Sequence, residues 1–301
     1  MYTIIGASGK TGSILSKQLL NAGKKVRVIG RDEKTLKGLL DLGAEAAVIR
    51  DNSDPKLSKA LSGSKVVYVL IPNFLPESDD FRAFQNEQVD HIVNAIKNAV
   101  DIENLVVLSS WGAENERGVG PVEGLHYLEQ QINANFSGKV KSIVYLRVGN
   151  FMENLDPIIK EFVGGNGVVS DPTLPEIHIP FISTRDIGVH AARVMLDIDS
   201  YKGINIKEIQ GAEDLTMLQV TEILSKHYNR PNASYIVISL EQLESRLLKF
   251  NFTPSSIQLM KDVYIALNNG TFKFHEKRSK SNSTDITFKQ YLVDFDKLNS
   301  N

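Results

Sequence analysis

Two apolar patterns alternate along the first half of the chain. Short β-rich runs occur at Tyr2–Ile5, Val26–Ile29, Ala46–Ile49, Val66–Ile71, Leu105–Leu108 and Ser142–Leu146. Several are apolar at consecutive positions, the pattern of parallel strands covered on both faces. Longer stretches between them, at Thr11–Ala22, Lys34–Leu42, Phe81–Ala99 and Val122–Asn135, carry apolar residues at helical spacing. In the third of these Phe81, Phe84, Val89, Ile92, Val93, Ile96 and Ala99 form one stripe against a polar opposite face. Strand–helix alternation predicts an α/β fold with a Rossmann-type doubly wound parallel sheet. Right-handed crossovers then put a ligand outside the carboxyl ends of the strands.

After about Arg147 the regularity weakens. Gly164-Gly165-Asn166-Gly167 and Asp171-Pro172 punctuate the chain, and helical patterns return at Thr184–Leu196, at Met217–His227 behind a Thr216 cap, and along Leu240–Asn268. The division expected is a dinucleotide-binding domain over 1–150 and a smaller α/β substrate lobe over 151–301, partly interleaved with the main sheet. Lys277–Thr284 is charged and serine-rich and reads as a mobile loop or linker. Apolar stretches such as Phe250–Leu267 suit a pocket wall, core packing or a homodimer face equally.

Composition narrows the chemistry. A 301-residue chain with 42% hydrophobic residues can bury a substantial core. A net charge of −2 gives no bulk attraction to nucleic acid or anionic membrane. The basic run His275–Lys280 is short and lacks interleaved aromatics, so a solvated loop is the better reading and no nucleic-acid partner is expected. Cys is absent, which excludes disulfides and thiolate chemistry. The histidines show no metal spacing, and no metal is expected. No apolar run approaches the roughly 20 residues that span a bilayer, and from the strand-like start at Tyr2 no leader is expected. A cytoplasmic location is the expectation.

The sharpest motif is Gly6-Ala7-Ser8-Gly9-Lys10-Thr11-Gly12, between the first strand and the first helix. Gly6 lets the chain turn out of the strand, Gly9 lets backbone approach a pyrophosphate, and Gly12 lets the helix pack on the sheet. The helix start supplies N–H groups and partial positive charge for phosphates. Gly6, Ser8, Gly9, Lys10, Thr11 and Gly12 are therefore candidate cofactor contacts.

The second strand ends in Gly30-Arg31-Asp32, where an NAD-selective fold usually places an acidic residue for the ribose. Arg31, aided by Lys34, can bind a 2′-phosphate through charge-assisted hydrogen bonds. NADP(H) is preferred on this reading. In the alternative, Arg31 and Lys34 are solvated charges, and Asp32 binds the ribose of NAD(H). Asp51 and Asn52, after the third strand, either edge the adenine or cap their own loop.

With these residues the chain resembles the NmrA-like branch of the atypical short-chain dehydrogenase/reductase superfamily. Beside the glycine motif and Gly30–Lys34, Leu108-Ser109-Ser110-Trp111-Gly112-Ala113 is similar to the end of the fifth strand in that family. Leu146–Asn154 resembles its Leu-Arg-Pro-Gly-x-Phe-Met-Glu-Asn run, with Val148 in place of proline, and Phe181–Gly188 resembles a later segment. The resemblance implies both reductases and NADP-sensing regulators without turnover.

The superfamily's usual Tyr-x-x-x-Lys pair is broken here. Tyr127 stands in the expected helix, but the residue four positions on is Gln131. The resemblance places His126 facing the nicotinamide, as a proton donor or as a cofactor or substrate contact. His126 and Tyr127 are thus the catalytic candidates. Ser109 and Ser110 are sited for active-site hydroxyls or for satisfying loop backbone. Pro72, Asn73 and Phe74 follow the fourth strand near the cofactor. Phe74, Ser110, Trp111, Asn150 and Phe151 are the substrate-pocket candidates. The partner expected is a small quinone-like or apolar acceptor, or a regulatory protein that reads cofactor state.

Overall fold

A computed structural model describes residues 1–71 and 78–299. In chain order its elements begin β1 (Tyr2–Ile4), α1 (Lys10–Asn21), β2 (Val26–Gly30), α2 (Glu33–Leu40), β3 (Glu45–Val48), α3 (Lys56–Leu61) and β4 (Val66–Val69). Then follow α4 (Phe81–Asn98), β5 (Asn104–Ser110), α5 (Val122–Phe136), β6 (Ser142–Val148) and β7 (Asn150–Phe151). The remainder comprises α6 (Asp156–Gly164), β8 (Val168–Asp171), β9 (Ile179–Ile182), α7 (Thr184–Leu196), β10 (Gly203–Ile209) and β11 (Glu213–Leu215). It closes with α8 (Met217–His227), β12 (Ser234–Val237), α9 (Leu240–Lys249), α10 (Pro254–Asn268) and α11 (Phe288–Asn299).

Seven strands form one sheet in the order β10-β6-β5-β4-β1-β2-β3, every pairing parallel. The chain reverses direction across the sheet between β1 and β4, the switch point at which such folds bind ligands. The doubly wound architecture read from the sequence is the one observed. Alternate strand residues feed opposite cores. Tyr2, Ile4, Val66, Tyr68, Val106 and Val144 pack with Leu15 and Leu19 of α1 and Ile187 and Met195 of α7. Ile5, Val67, Val69, Leu105, Val107 and Ile143 pack with Leu57 of α3, Val89 and Ile92 of α4, and Leu128 and Ile132 of α5. Burying each such side chain contributes about 1.5–3 kcal/mol, which accounts for the near-continuous apolar runs.

The second half supplies two pieces to this body. Helix α7 lies along α1, and β10 pairs with β6 from Gly203↔Ser142 to Ile209↔Val148. What remains gathers around a third core that includes Met152, Phe162, Phe181, Val220, Leu224, Phe288 and Leu292. The stretch Leu240–Asn268 is two helices. Asn251 takes a left-handed φ of +60° between them, and Pro254 starts α10 behind the Thr253 cap. Ile257, Leu259, Ala266 and Leu267 of α10 are core residues, whereas Phe250 is exposed.

Lys277–Thr284 departs from its expectation as a free linker. Asn282 is buried, and its carbonyl accepts from Gln210 N at 2.7 Å while Thr284 N donates to Gln210 O at 3.1 Å. Arg278 reaches the Gly211 carbonyl and Asp214. The polar residues that suggest solvent are satisfied by a distant segment, which composition cannot reveal. Among the described residues no helix is long and apolar enough to cross a membrane.

Candidate functional site

The carboxyl ends of β1, β2, β5 and β6 share one edge of the sheet. They bring together the glycine loop, Arg31, Ser110 and the segment leading to Asn150. Gly6 adopts φ +69°, and a Cβ on Gly12 would stand 2.4 Å from the Gly6 carbonyl oxygen. No other residue type fits that crossing of loop and helix. Helix α1 begins behind Gly9, which offers no side-chain cap, so its first N–H groups depend on an outside acceptor. Ser8 and Lys10 are exposed beside that end, and Thr11 is buried beneath it. This cradle suits a pyrophosphate.

Lys10 is also tied to the rest of the chain. Its Nζ lies 3.4 Å from Asp156 Oδ2 at the start of α6. Asp156 in turn accepts the Tyr291 hydroxyl of α11. Nearby, Glu153 accepts from Thr184 N at 3.0 Å and Thr184 Oγ1 at 2.5 Å, holding the first turn of α7. Burial raises the Glu153 pKa, against the lowering effect of these donors and of Lys10.

At the other end of the cleft, Arg31, Asp32, Glu33, Lys34, Val48 and Arg50 line an open depression of ≈ 660 Å³. Asp32 is the cap of α2, accepting from Lys34 N at 2.9 Å. Its carboxylate is committed to backbone, which weakens the NAD reading. Arg50 was missed in the sequence. The available signal was its place just beyond β3, on the strand next to the one that ends before Arg31. Asp51 and Asn52 turn to local duties. Asp51 accepts from Ser53 N at 2.7 Å, which holds its carboxyl below the usual range, and Asn52 donates to Gln88 of α4 at 2.9 Å.

His126 of α5 stands with Nδ1 2.9 Å from the carbonyl oxygen of Ala113. A carbonyl only accepts, so the neutral ring carries its hydrogen on Nδ1 and leaves the Nε2 lone pair free to act. Tyr127, one residue on, projects elsewhere. Its hydroxyl donates to Asp90 of α4 at 2.9 Å, and burial together with that carboxylate raises its pKa. A phenol so placed belongs to the α4–α5 contact and is unsuited to act as an acid. Adjacent helix residues point roughly 100° apart, and here His126 and Tyr127 turn to different partners, Ala113 and Asp90.

Ser109 is buried and donates to Glu129 Oε1 at 2.6 Å, so its proton is spent inside the protein, not on a cofactor. Ser110 is half-buried at the end of β5. Trp111 also departs from the expected role as pocket wall. It is 8% exposed and stacks against Phe272 and Phe274, with centroids 5.1 and 5.6 Å away. Two rings from beyond α10 shield the indole, making it a core residue. Asn150 accepts from Asn154 Nδ2 at 2.8 Å, and Phe151 is half-buried against the α1–α7 core. Pro72, Asn73 and Phe74 lie outside the described residues. Among the described residues no cluster of three or more His, Asp or Glu could hold a metal ion.

The chain resembles solved structures along nearly its whole length. NADPH-dependent quinone oxidoreductase QOR2 from Escherichia coli, complexed with NADPH, superimposes with a TM-score of 0.81 at 17% identity, covering 98% of this chain and 99% of that one. Citrobacter sp. triphenylmethane reductase complexed with NADP(H) gives 0.78 at 15% identity, with 97% and 99% covered. A nucleoside-diphosphate-sugar epimerase from Staphylococcus aureus gives 0.77 at 16%, again with 97% and 99% covered. At such identities these likenesses establish the fold alone. No curated protein sequence matches significantly. The NmrA-like family model, however, matches residues 2–292, and the chain belongs to the NmrA-like family.

Proposed function

We propose that this protein is an NADP(H)-dependent reductase of a quinone-like or other small apolar acceptor, working by direct hydride transfer. The observation that carries the reading is His126, oriented by the Ala113 carbonyl beside the end of β5. The glycine cradle and the committed Asp32 support the cofactor choice. Two similar folds are named an NADPH-dependent quinone oxidoreductase and a triphenylmethane reductase complexed with NADP(H).

Bound NADPH would supply the hydride. The α1 amides would hold the pyrophosphate, and Arg31 with Lys34 would meet the 2′-phosphate. Protonated His126 would give the Nε2 proton to the acceptor's oxygen. The ring would then be neutral with its hydrogen on Nδ1, the tautomer Ala113 already favours. Acceptors whose reduced anion is intrinsically stabilised suit a site without the Tyr-x-x-x-Lys pair.

The test is NADPH oxidation with a benzoquinone, in the wild type and in His126→Phe. The variant should lose about 100-fold in turnover while still binding NADPH. Undiminished turnover would remove His126 from the mechanism. If several quinones leave NADPH unoxidised, the second reading takes over: a cofactor-sensing regulator. The link from Lys10 through Asp156 to Tyr291 favours that reading, because it joins the phosphate loop to the C-terminal helix. A partner protein whose affinity differs between NADP⁺ and NADPH would establish it.

A further inference from the structure

We infer that Arg50 is the principal cofactor-discriminating cation, gripping the adenosine 2′-phosphate from the β3 side of the cleft. The inference rests on the proposed use of NADP(H) and goes beyond it, since neither the glycine motif nor the Gly30–Lys34 segment contains Arg50.

Strands β2 and β3 are adjacent and parallel, paired through Gly30↔Val48, and Ile49 N donates to Gly30 O at 2.9 Å just beyond. Neighbouring strands run about 4.8 Å apart. Arg31 follows the end of β2 and Arg50 lies just past the end of β3, and both line the same depression with Lys34. Neither arginine nor Lys34 has an ion-pair partner among the described residues.

Among the described residues the carboxylates closest in sequence, two of which also line the depression, make no ion pair with this group. Asp32 caps α2 and Asp51 turns onto Ser53 N. Glu33 sits in the first turn of α2, where the helix end favours it. Three like charges around one cleft repel each other, and a dianionic phosphate relieves that repulsion while accepting two-point hydrogen bonds from both guanidinium groups. A ribose hydroxyl does neither. Arg31 stands at the end of β2 beside Asp32 and Glu33; Arg50 approaches from the end of the adjacent β3 and completes the cage.

Adenosine 2′,5′-bisphosphate and 5′-AMP separate this role from general adenine binding, because they differ only in the 2′-phosphate. Both are titrated by calorimetry into wild type, Arg50→Ala and Arg31→Ala, with thermal melting as the check on folding. Arg50 is exposed and its side chain makes no hydrogen bond or ion pair among the described residues, so Arg50→Ala should melt with the wild type. The expected result is a loss of about 30-fold for the bisphosphate, exceeding that in Arg31→Ala, with 5′-AMP affinity changed less than twofold. The dependence of bisphosphate binding on salt should fall in step. Equal losses for both ligands, or a smaller loss than in Arg31→Ala, would overturn the inference while leaving NADP(H) preference intact. A wild type that binds both ligands equally would overturn the NADP(H) reading itself.

Discussion

Arg147 and Glu129 meet through two hydrogen bonds inside the protein, Nε to Oε1 at 3.1 Å and Nη2 to Oε2 at 2.7 Å. Both side chains are over nine-tenths shielded from water. Glu129 also accepts Ser109, while Arg147 reaches Glu114 at 3.0 Å, so the pair locks the ends of β5 and β6 to α5. Removing one partner leaves the other charge buried and unpaired. Glu129→Leu and Arg147→Met should each cost about 3–5 kcal/mol in urea unfolding. The double variant should cost clearly less than the sum. Strict additivity would show the two residues to be energetically independent.

Gly12→Ala tests the cradle. Its new methyl would collide with the Gly6 carbonyl, so the loop or the start of α1 must shift. NADPH affinity should drop more than tenfold, with a stability loss of about 1–3 kcal/mol. Titration and thermal melting read the two effects separately. Normal affinity would mean that the pyrophosphate binds elsewhere.

A pyrophosphate bound in the proposed cradle would compete with Asp156 for the Lys10 ammonium. Lys10→Met should weaken NADPH binding several-fold, most strongly at low salt. Asp156→Asn should strengthen it, since a carboxylate that both occupies Lys10 and repels the phosphate has gone. Weaker binding in both variants would show instead that Asp156 steadies Lys10 for the cofactor.

His190 of α7 should leave a pH signature. Burial pushes its pKa down to about 4, and Arg193 and Lys207 act in the same direction. The unfolded imidazole binds its proton near pH 6.5, so between that value and about 4 the unfolded state holds more protons. The stabilising contribution of neutral His190 is complete above pH 6.5 and disappears as pH falls through that window. His190→Gln should flatten this part of the stability profile, by about 3 kcal/mol at most. Parallel profiles in the two proteins would refute the assignment.

Much of the fold is written locally. The strands at Val66 and Leu105 are apolar on both faces because both faces are covered, and the Gly6–Gly12 spacing states its turn directly. The misread residues are those whose partners lie far away in the chain. Trp111 looks like a pocket aromatic until Phe272 and Phe274 cover it. Tyr127 looks catalytic until helix rotation gives it to Asp90, and Asn282 looks solvated until Gln210 fastens it. Arg50 was legible only through the pairing of β2 with β3, which brings both strand ends to one depression and which no local pattern supplies.

The late arrival of β10 bears on how the protein is made. Once residue 148 has been synthesised, β6 still lacks its outer neighbour, and the apolar face of α1 has no α7 to cover it. About 60 further residues must leave the ribosome before both gaps close, a delay of about 3–12 s at ordinary elongation rates. A nascent chain stalled in that interval exposes an open strand edge and the surface of α1 that α7 later covers. Chaperone demand during expression should therefore peak for truncations ending between β6 and β10, and fall once Ile209 is included.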